Sequence, residues 1–243
     1  MIRSLTIIFP IFNEEARLGK SLDELKKFIE GNPELNLEII FVNDGSKDNS
    51  QLIIQKFIKE NRGNIYKYFG ETTNNGKGYA LKIGVENATK DWILTSDIDL
   101  SVPLDQINVW VKKGKIESNK SKVFFGSREV DDSIVEKKIY RYLLGSILNS
   151  FIKILFKFNI KDTQCGFKLY KSDLAKKVFK KLKILRFAHD IELIVMIYKM
   201  NEKITELPVK WVHVPQSKLN IFTDPIKMFI DILKIYKNSK SND

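Results

Sequence analysis

The chain has 243 residues, 43% of them hydrophobic, enough to bury a full core within one large domain. Its 41 Lys+Arg against 30 Asp+Glu leave a formal charge of +11, which calls for a polyanionic partner: nucleic acid, anionic lipid or a phosphorylated substrate. The single cysteine, Cys165, excludes an intrachain disulfide and a cysteine metal cage and fits a reducing, cytoplasmic compartment.

Met1-Ile2-Arg3-Ser4 and the short apolar run after it lack the pattern of a signal peptide. No window reaches the ~18 uncharged apolar residues needed to span a bilayer, so the expected membrane contact is peripheral. Leu5-Thr6-Ile7-Ile8-Phe9-Pro10 predicts a short strand stopped by proline, and Asn13 to Ile29 has helical spacing, with Leu18, Leu22, Leu25 and Ile29 on one face. Leu37 to Val42 predicts a second strand, followed by the turn Asn43-Asp44-Gly45-Ser46 and a helix from Asp48 to Glu60. Asn64 to Gly70 is a third strand. The Gly-rich turn Asn74 to Gly78 opens a helix running to Glu86, and Trp92 to Thr95 is a fourth strand ending in Asp97-Ile98-Asp99. Lys122 to Phe125 leads into Gly126-Ser127-Arg128, and Val135 to Phe158 turns helical and apolar with basic insertions. Strands alternating with helices of this length predict an α/β fold, a mostly parallel sheet with helices on both faces and ligands at the carboxyl ends of the strands.

Three polar clusters sit at such ends. Asp44-Gly45-Ser46 with Asp48 places a carboxylate where it can accept from a nucleotide base, although an ordinary turn and helix cap uses the same residues. In Asn75-Gly76-Lys77-Gly78, two glycines let the backbone approach a ligand and Lys77 offers a point charge to a diphosphate; the Walker A spacing is missing. In Asp97-Ile98-Asp99, strand alternation would put both carboxylates on one side for a hard divalent cation and turn Ile98 into the fold; two solvated acids are the bland alternative.

Together with the opening Phe9-Pro10-Ile11-Phe12-Asn13-Glu14-Glu15, the three clusters resemble, over roughly residues 4–105, the nucleotide-sugar domain of family 2 glycosyltransferases of the GT-A fold. That resemblance implies that Pro10, Asn13, Glu14 and Asp44 line the nucleoside site, that Lys77 meets the diphosphate, and that Asp97 and Asp99 hold Mg2+ or Mn2+. Further on, Gly126-Ser127-Arg128, the run Asp162 to Leu169, the run Arg186 to Leu193, Trp211 and Ser217-Lys218 are similar to dolichyl-phosphate glucosyltransferases, and the resemblance then spans about residues 4–235. It implies one domain over 1–243, with a nucleotide-sugar half (1–105) and an acceptor and membrane-facing half (106–243). It also implies UDP-glucose as donor and a polyprenyl or dolichyl phosphate as acceptor. Eukaryotic members carry an N-terminal transmembrane helix, whereas this chain begins at the catalytic strand.

A lipid phosphate is a coherent acceptor. With its second pKa near ~6 it is already anionic at neutral pH and needs cations more than a base. Arg128, Arg141, Lys137 and Lys138 are the candidate cations, with a solvated basic face as their alternative. Asp162 and Asp190 are candidates for orienting the sugar or stabilising charge at the anomeric carbon, although Asp190 and Glu192 also suit a helix N-terminus. Cys165 is disfavoured as a nucleophile. The apolar, Lys/Arg-edged stretches Arg141 to Phe158 and Ile221 to Tyr236 predict amphipathic helices suited to a cytoplasmic membrane face, or to a packing layer or homo-oligomer interface. The rival readings are a GDP-mannose-dependent mannosyltransferase, a transferase acting on a polysaccharide hydroxyl with Asp190 as base, and a non-catalytic membrane scaffold. Nucleic acid is not an expected partner, because the basic residues are scattered and Asp97 and Asp99 would repel phosphates.

Overall fold

A computed structural model describes residues 2–61, 63–117, 121–135, 151–214 and 224–240. The strands are β1 (Ser4–Ile11), β2 (Asn36–Asp44), β3 (Tyr66–Glu71), β4 (Trp92–Thr95), β5 (Val123–Ser127), β6 (Ile134–Val135), β7 (Lys168–Lys171), β8 (Ile204–Pro208) and β9 (Lys210–Trp211). The helices are α1 (Glu15–Glu30), α2 (Ser50–Glu60), α3 (Lys77–Asn87), α4 (Gln106–Lys112), α5 (described over 151–156), α6 (Ser172–Lys181), α7 (His189–Lys199) and α8 (Asp224–Lys240). Seven strands form one sheet in the order β3-β2-β1-β4-β7-β5-β8, and β6 pairs with β9 in a separate ribbon. All neighbours in the main sheet are parallel except β7, which runs antiparallel to both β4 and β5.

Strand alternation sorts the apolar residues into two layers. Leu5, Ile7 and Phe9 of β1 and Leu37, Ile39 and Phe41 of β2 face the layer holding Leu18, Leu22 and Leu25 of α1, Ile54 of α2 and Trp110 of α4. Ile8, Ile40 and Val42 face the other, with Ala80, Leu81 and Val85 of α3, Val178 of α6 and Leu193 and Ile197 of α7. Burying each such side chain is worth roughly 1.5–3 kcal/mol, so the alternation pins the register, and the register sets where each strand ends. A third cluster joins Ile152 of α5, Ile191 and Val195 of α7, and Met228, Ile232 and Ile235 of α8.

Pro10 lies inside β1 and not after it. The β1–β4 register ends at Ile8↔Thr95, so the missing N–H of Pro10 is not needed on that side. The elements read from alternation and helical spacing reappear with boundaries moved by at most four residues. The short or charged ones, α4, α6, β7, β8 and β9, were not among the expectations, whereas α7 begins where Asp190 and Glu192 suited a helix N-terminus. The helical stretch expected over Val135–Phe158 begins with β6 at Ile134–Val135, lies outside the described residues at 136–150, and is helical over 151–156. Among the described residues, no helix is long and apolar enough to cross a membrane.

Candidate active site

The loops following β1, β2 and β4 lie together at the carboxyl end of the sheet. Asn13 takes a left-handed backbone (φ 54°), which asparagine tolerates better than most residues. Its N–H donates to Ser46 Oγ (3.0 Å), and its Oδ1 accepts from the Lys47 N–H (2.7 Å). The Glu14 N–H donates to Ser50 Oγ (2.7 Å), so the first loop is fastened to the second. The Glu14 carboxylate is gripped by Arg17, whose Nε and Nη2 each donate at 2.6 Å.

Asp44 is buried at the end of β2 and turned toward the loop 74–76 between β3 and α3. It accepts from the N–H groups of Asn75 (2.8 Å) and Gly76 (2.7 Å) and from Asn74 Nδ2 (2.9 Å). Burial raises its carboxyl above the ordinary range, against the pull of those two N–H groups. Gly76, at φ 111°, packs so closely on the Leu185 carbonyl that a Cβ would overlap it, and Gly78 packs on His189. These glycines admit the loop before α7, where the sequence suggested open backbone for a ligand.

Asp97 and Asp99 lie past β4, in a turn closed by the Leu100 N–H on the Asp97 carbonyl (3.1 Å), with Leu100 at φ 51°. Strand alternation therefore does not aim them; the turn does. Ile98 is turned inward as expected, 2% exposed. The Asp97 side chain is 43% exposed, and its Oδ1 holds Lys77 Nζ at 2.5 Å. Asp99 Oδ1 accepts from the N–H (3.0 Å) and Oγ (2.8 Å) of Ser101, while its Oδ2 lies 3.3 Å from Arg17 Nη1. Burial disfavours the charge on Lys77, but Asp97, then Asp190 and Asp99, outweigh it and raise the ammonium above its ordinary value. The donor set fits a hard divalent cation, since both groups offer carboxylate oxygens and Asp97 is open to solvent. Among the described residues no third His, Cys, Asp or Glu joins them.

The loop 162–167 forms the far wall. Gly166 packs against the acid pair: a Cβ there would overlap Asp97 Oδ2 and come within 3.2 Å of Lys77 Nζ. Asp162 is bound by Arg128 through Nε (2.7 Å), Nη2 (2.9 Å) and the backbone N–H (3.0 Å). Despite burial, that guanidinium holds the Asp162 carboxyl below the ordinary range. Arg128 is 30% exposed and lies over the Trp211 ring, 6.0 Å from its centroid. Burial pushes the Cys165 thiol up to about 11, which leaves it a poor nucleophile. Lys137, Lys138 and Arg141 lie outside the described residues.

Behind Lys77 sits a buried charge cluster. Asp190, at the start of α7, pairs with Lys168 of β7, and its Oδ1 lies 3.2 Å from His189 Nε2. Lys168 is 1% exposed. Although burial opposes it, His189, Lys168 and Lys77 together keep the Asp190 carboxyl below the ordinary range. His189 Nδ1 donates to the Arg186 carbonyl (2.7 Å), and burial holds the imidazole below its ordinary value near 6.5. A depressed base is protonated more readily in the unfolded chain, so stability should fall as pH drops below about 6.5. Chemical melts between pH 7.5 and 5.5 should lose up to about 1.4 kcal/mol per pH unit, with a shallower slope in His189→Gln; equal slopes would exclude the imidazole as the source.

Lys168, Arg17 and Gly166 were not among the expected site residues. Lys168 carried one sequence signal, a lysine between Phe167 and Leu169 in an apolar stretch. Arg17 looked like any surface arginine on an amphipathic helix.

A mostly parallel sheet whose strand ends gather an acid pair, a lysine and a carboxylate-anchored Gly-rich loop defines a GT-A glycosyltransferase fold. The family model for glycosyl transferase family 2 matches residues 6–179. The chain is 34% identical over 239 residues to a dolichyl-phosphate β-glucosyltransferase of Dictyostelium discoideum, covering 95% of this chain and 73% of that protein. It is 29% identical over 243 residues to the Homo sapiens dolichyl-phosphate β-glucosyltransferase, covering 96% and 75%. Among solved structures, Mycobacterium tuberculosis glucosyl-3-phosphoglycerate synthase with Mn2+, UDP and glucosyl-3-phosphoglycerate shares the fold, with a TM-score of 0.68 at 14% identity over 98% of this chain and 80% of that one. The chain belongs to glycosyl transferase family 2 and is a glycosyltransferase.

Proposed function

We propose that this enzyme transfers glucose from UDP-glucose to a dolichyl or other polyprenyl phosphate, with inversion, at the cytoplasmic face of a membrane. The observation that carries the reading is the 34% identity over nearly the whole chain to a dolichyl-phosphate β-glucosyltransferase. The geometry supports it. Pro10, Asn13, Glu14 and Asp44 would frame the nucleoside and Lys77 would meet the diphosphate. Asp97 and Asp99 would hold Mg2+ or Mn2+, which supplies Lewis-acid stabilisation of the departing nucleoside diphosphate. Arg128, with Arg141 and Lys137, would meet the acceptor phosphate.

Asp190 separates the phosphate acceptor from a hydroxyl one. A hydroxyl acceptor needs a general base, and the candidate is buried, paired with Lys168 and held below the ordinary carboxyl range, all of which weaken it as a base. An anionic phosphate oxygen needs none. Asp162 and Asp190 then act by holding the walls of the site. Membrane contact is supported by α8, where Ile226, Phe229, Ile230 and Leu233 are exposed beside Lys227 and Lys234. A groove of about 260 Å³ there is lined by Arg186, Lys227, Ile230, Asp231 and Lys234.

The test is radiolabelled transfer from UDP-glucose and, in parallel, GDP-mannose to a short polyprenyl phosphate, with and without Mg2+ or Mn2+, in wild type and Asp99→Asn. Metal-dependent glucolipid from UDP-glucose alone, lost in the variant, is the expected result. Lipid product from GDP-mannose alone would overturn the donor, and no lipid product despite UDP binding would overturn the acceptor. With the acceptor in vesicles containing anionic lipid, Phe229→Glu/Ile230→Glu should lose most of the activity that it keeps in detergent.

A further inference from the structure

We propose that Lys77 and Arg17 are resident counter-cations of the acid pair, and that a nucleoside diphosphate opens the pair to a divalent cation by drawing Lys77 off Asp97. This rests on the reading that Asp97 and Asp99 hold the cation and Lys77 meets the diphosphate.

Among the described residues each acid carries one basic partner, Lys77 Nζ at 2.5 Å from Asp97 Oδ1 and Arg17 Nη1 at 3.3 Å from Asp99 Oδ2. The two partners are tethered differently. Arg17, 12% exposed, is anchored at two nitrogens by Glu14, three residues earlier in the chain, in a bidentate pair that fixes the plane of the guanidinium. Asp99 is thus oriented from both sides, by Ser101 on Oδ1 and by Arg17 on Oδ2. Lys77 is the first residue of α3, with a compact charge on a flexible four-carbon stem and a side chain 23% exposed. It can exchange partners where Arg17 cannot.

A divalent cation arriving alone must displace the ammonium from Asp97. A diphosphate offers that ammonium a partner with more negative charge and leaves Asp97 Oδ1 free. Nucleotide and cation therefore load cooperatively, and by linkage the factor by which UDP tightens the cation equals the factor by which the cation tightens UDP. Arg17 is a positioning residue for Asp99 and, through Glu14, connects the first loop to the acid pair.

The test is Mn2+ binding, followed by the electron paramagnetic resonance signal of the free aqueous ion, with and without UDP. Wild type, Lys77→Met, Arg17→Gln and the binding control Asp97→Asn are compared, each with a thermal melt. Wild type should bind Mn2+ weakly alone and at least about tenfold more tightly with UDP, the scale on which one neighbouring charge acts. Lys77→Met should bind Mn2+ alone about tenfold more tightly than wild type and lose most of the UDP enhancement. Arg17→Gln should also gain nucleotide-free affinity but keep the enhancement, because its Lys77 switch is intact. A natively melting Lys77→Met with no gain in nucleotide-free Mn2+ affinity overturns the proposal, as does an Arg17→Gln that loses the enhancement. The two readings separate by arm: failure of wild type to bind UDP at saturating Mn2+ removes the donor-site reading and the opening step, while the nucleotide-free arm still decides whether Lys77 is a counter-cation.

Discussion

Gly166→Ala should lower kcat/KM by about 100-fold or more while leaving the melting temperature within a few degrees of wild type, the scale on which ångström-sized misplacements act. The added methyl would overlap Asp97 Oδ2, lie 3.0 Å from Asp97 Cγ and come within 3.2 Å of Lys77 Nζ. Either Asp97 rotates away from Lys77 or the loop 162–167 retreats, and each moves a group proposed to hold the donor. Gly19→Ala is the control, since a Cβ there meets nothing within 4 Å and the residue lies in the interior of α1. It should leave activity unchanged and stabilise the fold by roughly 0.5–1 kcal/mol. Near-native kcat/KM in Gly166→Ala would show that Asp97 has slack and that the close approach is incidental.

Lys168→Met should cost stability more than it costs chemistry. The substitution keeps most of the side-chain length but leaves the Asp190 carboxylate buried without its ammonium and removes a cation 4.7 Å from the Phe125 ring centre. Removing one partner of a buried pair costs about 3–5 kcal/mol. At about 2–4 °C per kcal/mol for a chain of this size, the melting temperature should fall by roughly 6–20 °C. Adding Asp190→Asn removes the stranded charge and should restore most of that loss. The double variant also decides the role of Asp190. If the carboxylate only holds α7 against the Gly-rich loop, the refolded double variant should recover activity along with stability. A stable but inactive double variant would return Asp190 to the chemistry.

The first half of the site was readable because its signals are local. A buried strand followed by Asn-Asp-Gly-Ser or Asp-Ile-Asp announces a strand end, and α/β architecture places strand ends together. What the residues at those ends do was less readable. Asp44 carried the signature of a base-binding carboxylate, and the fold adds a second task, since its oxygens accept from the loop 74–76; Gly76 and Gly78 also make room for Leu185 and His189. Asp97 and Asp99 were aimed by strand alternation in the sequence and by a turn in the fold. In each case the partner lies far along the chain or depends on a backbone turn that periodicity does not encode.

The second half was read from motif resemblance more than from pattern. β7 has four residues with a lysine at each end, too short and too charged to announce itself, yet it is the antiparallel strand that joins the two halves of the sheet. By itself, the sequence determined the α/β class and the family and proposed the acid pair and the lysine, because composition, period and short motifs are properties of neighbouring residues. Only the tertiary structure decided that Lys77 sits on Asp97, that Arg17 sits on Asp99, that Arg128 sits on Asp162 and that Lys168 and Asp190 neutralise one another in the interior. Those pairings span as many as 82 residues of chain and follow from Coulomb attraction, strongest for the buried Lys168 and Asp190, where each charge takes the partner that packing brings within reach.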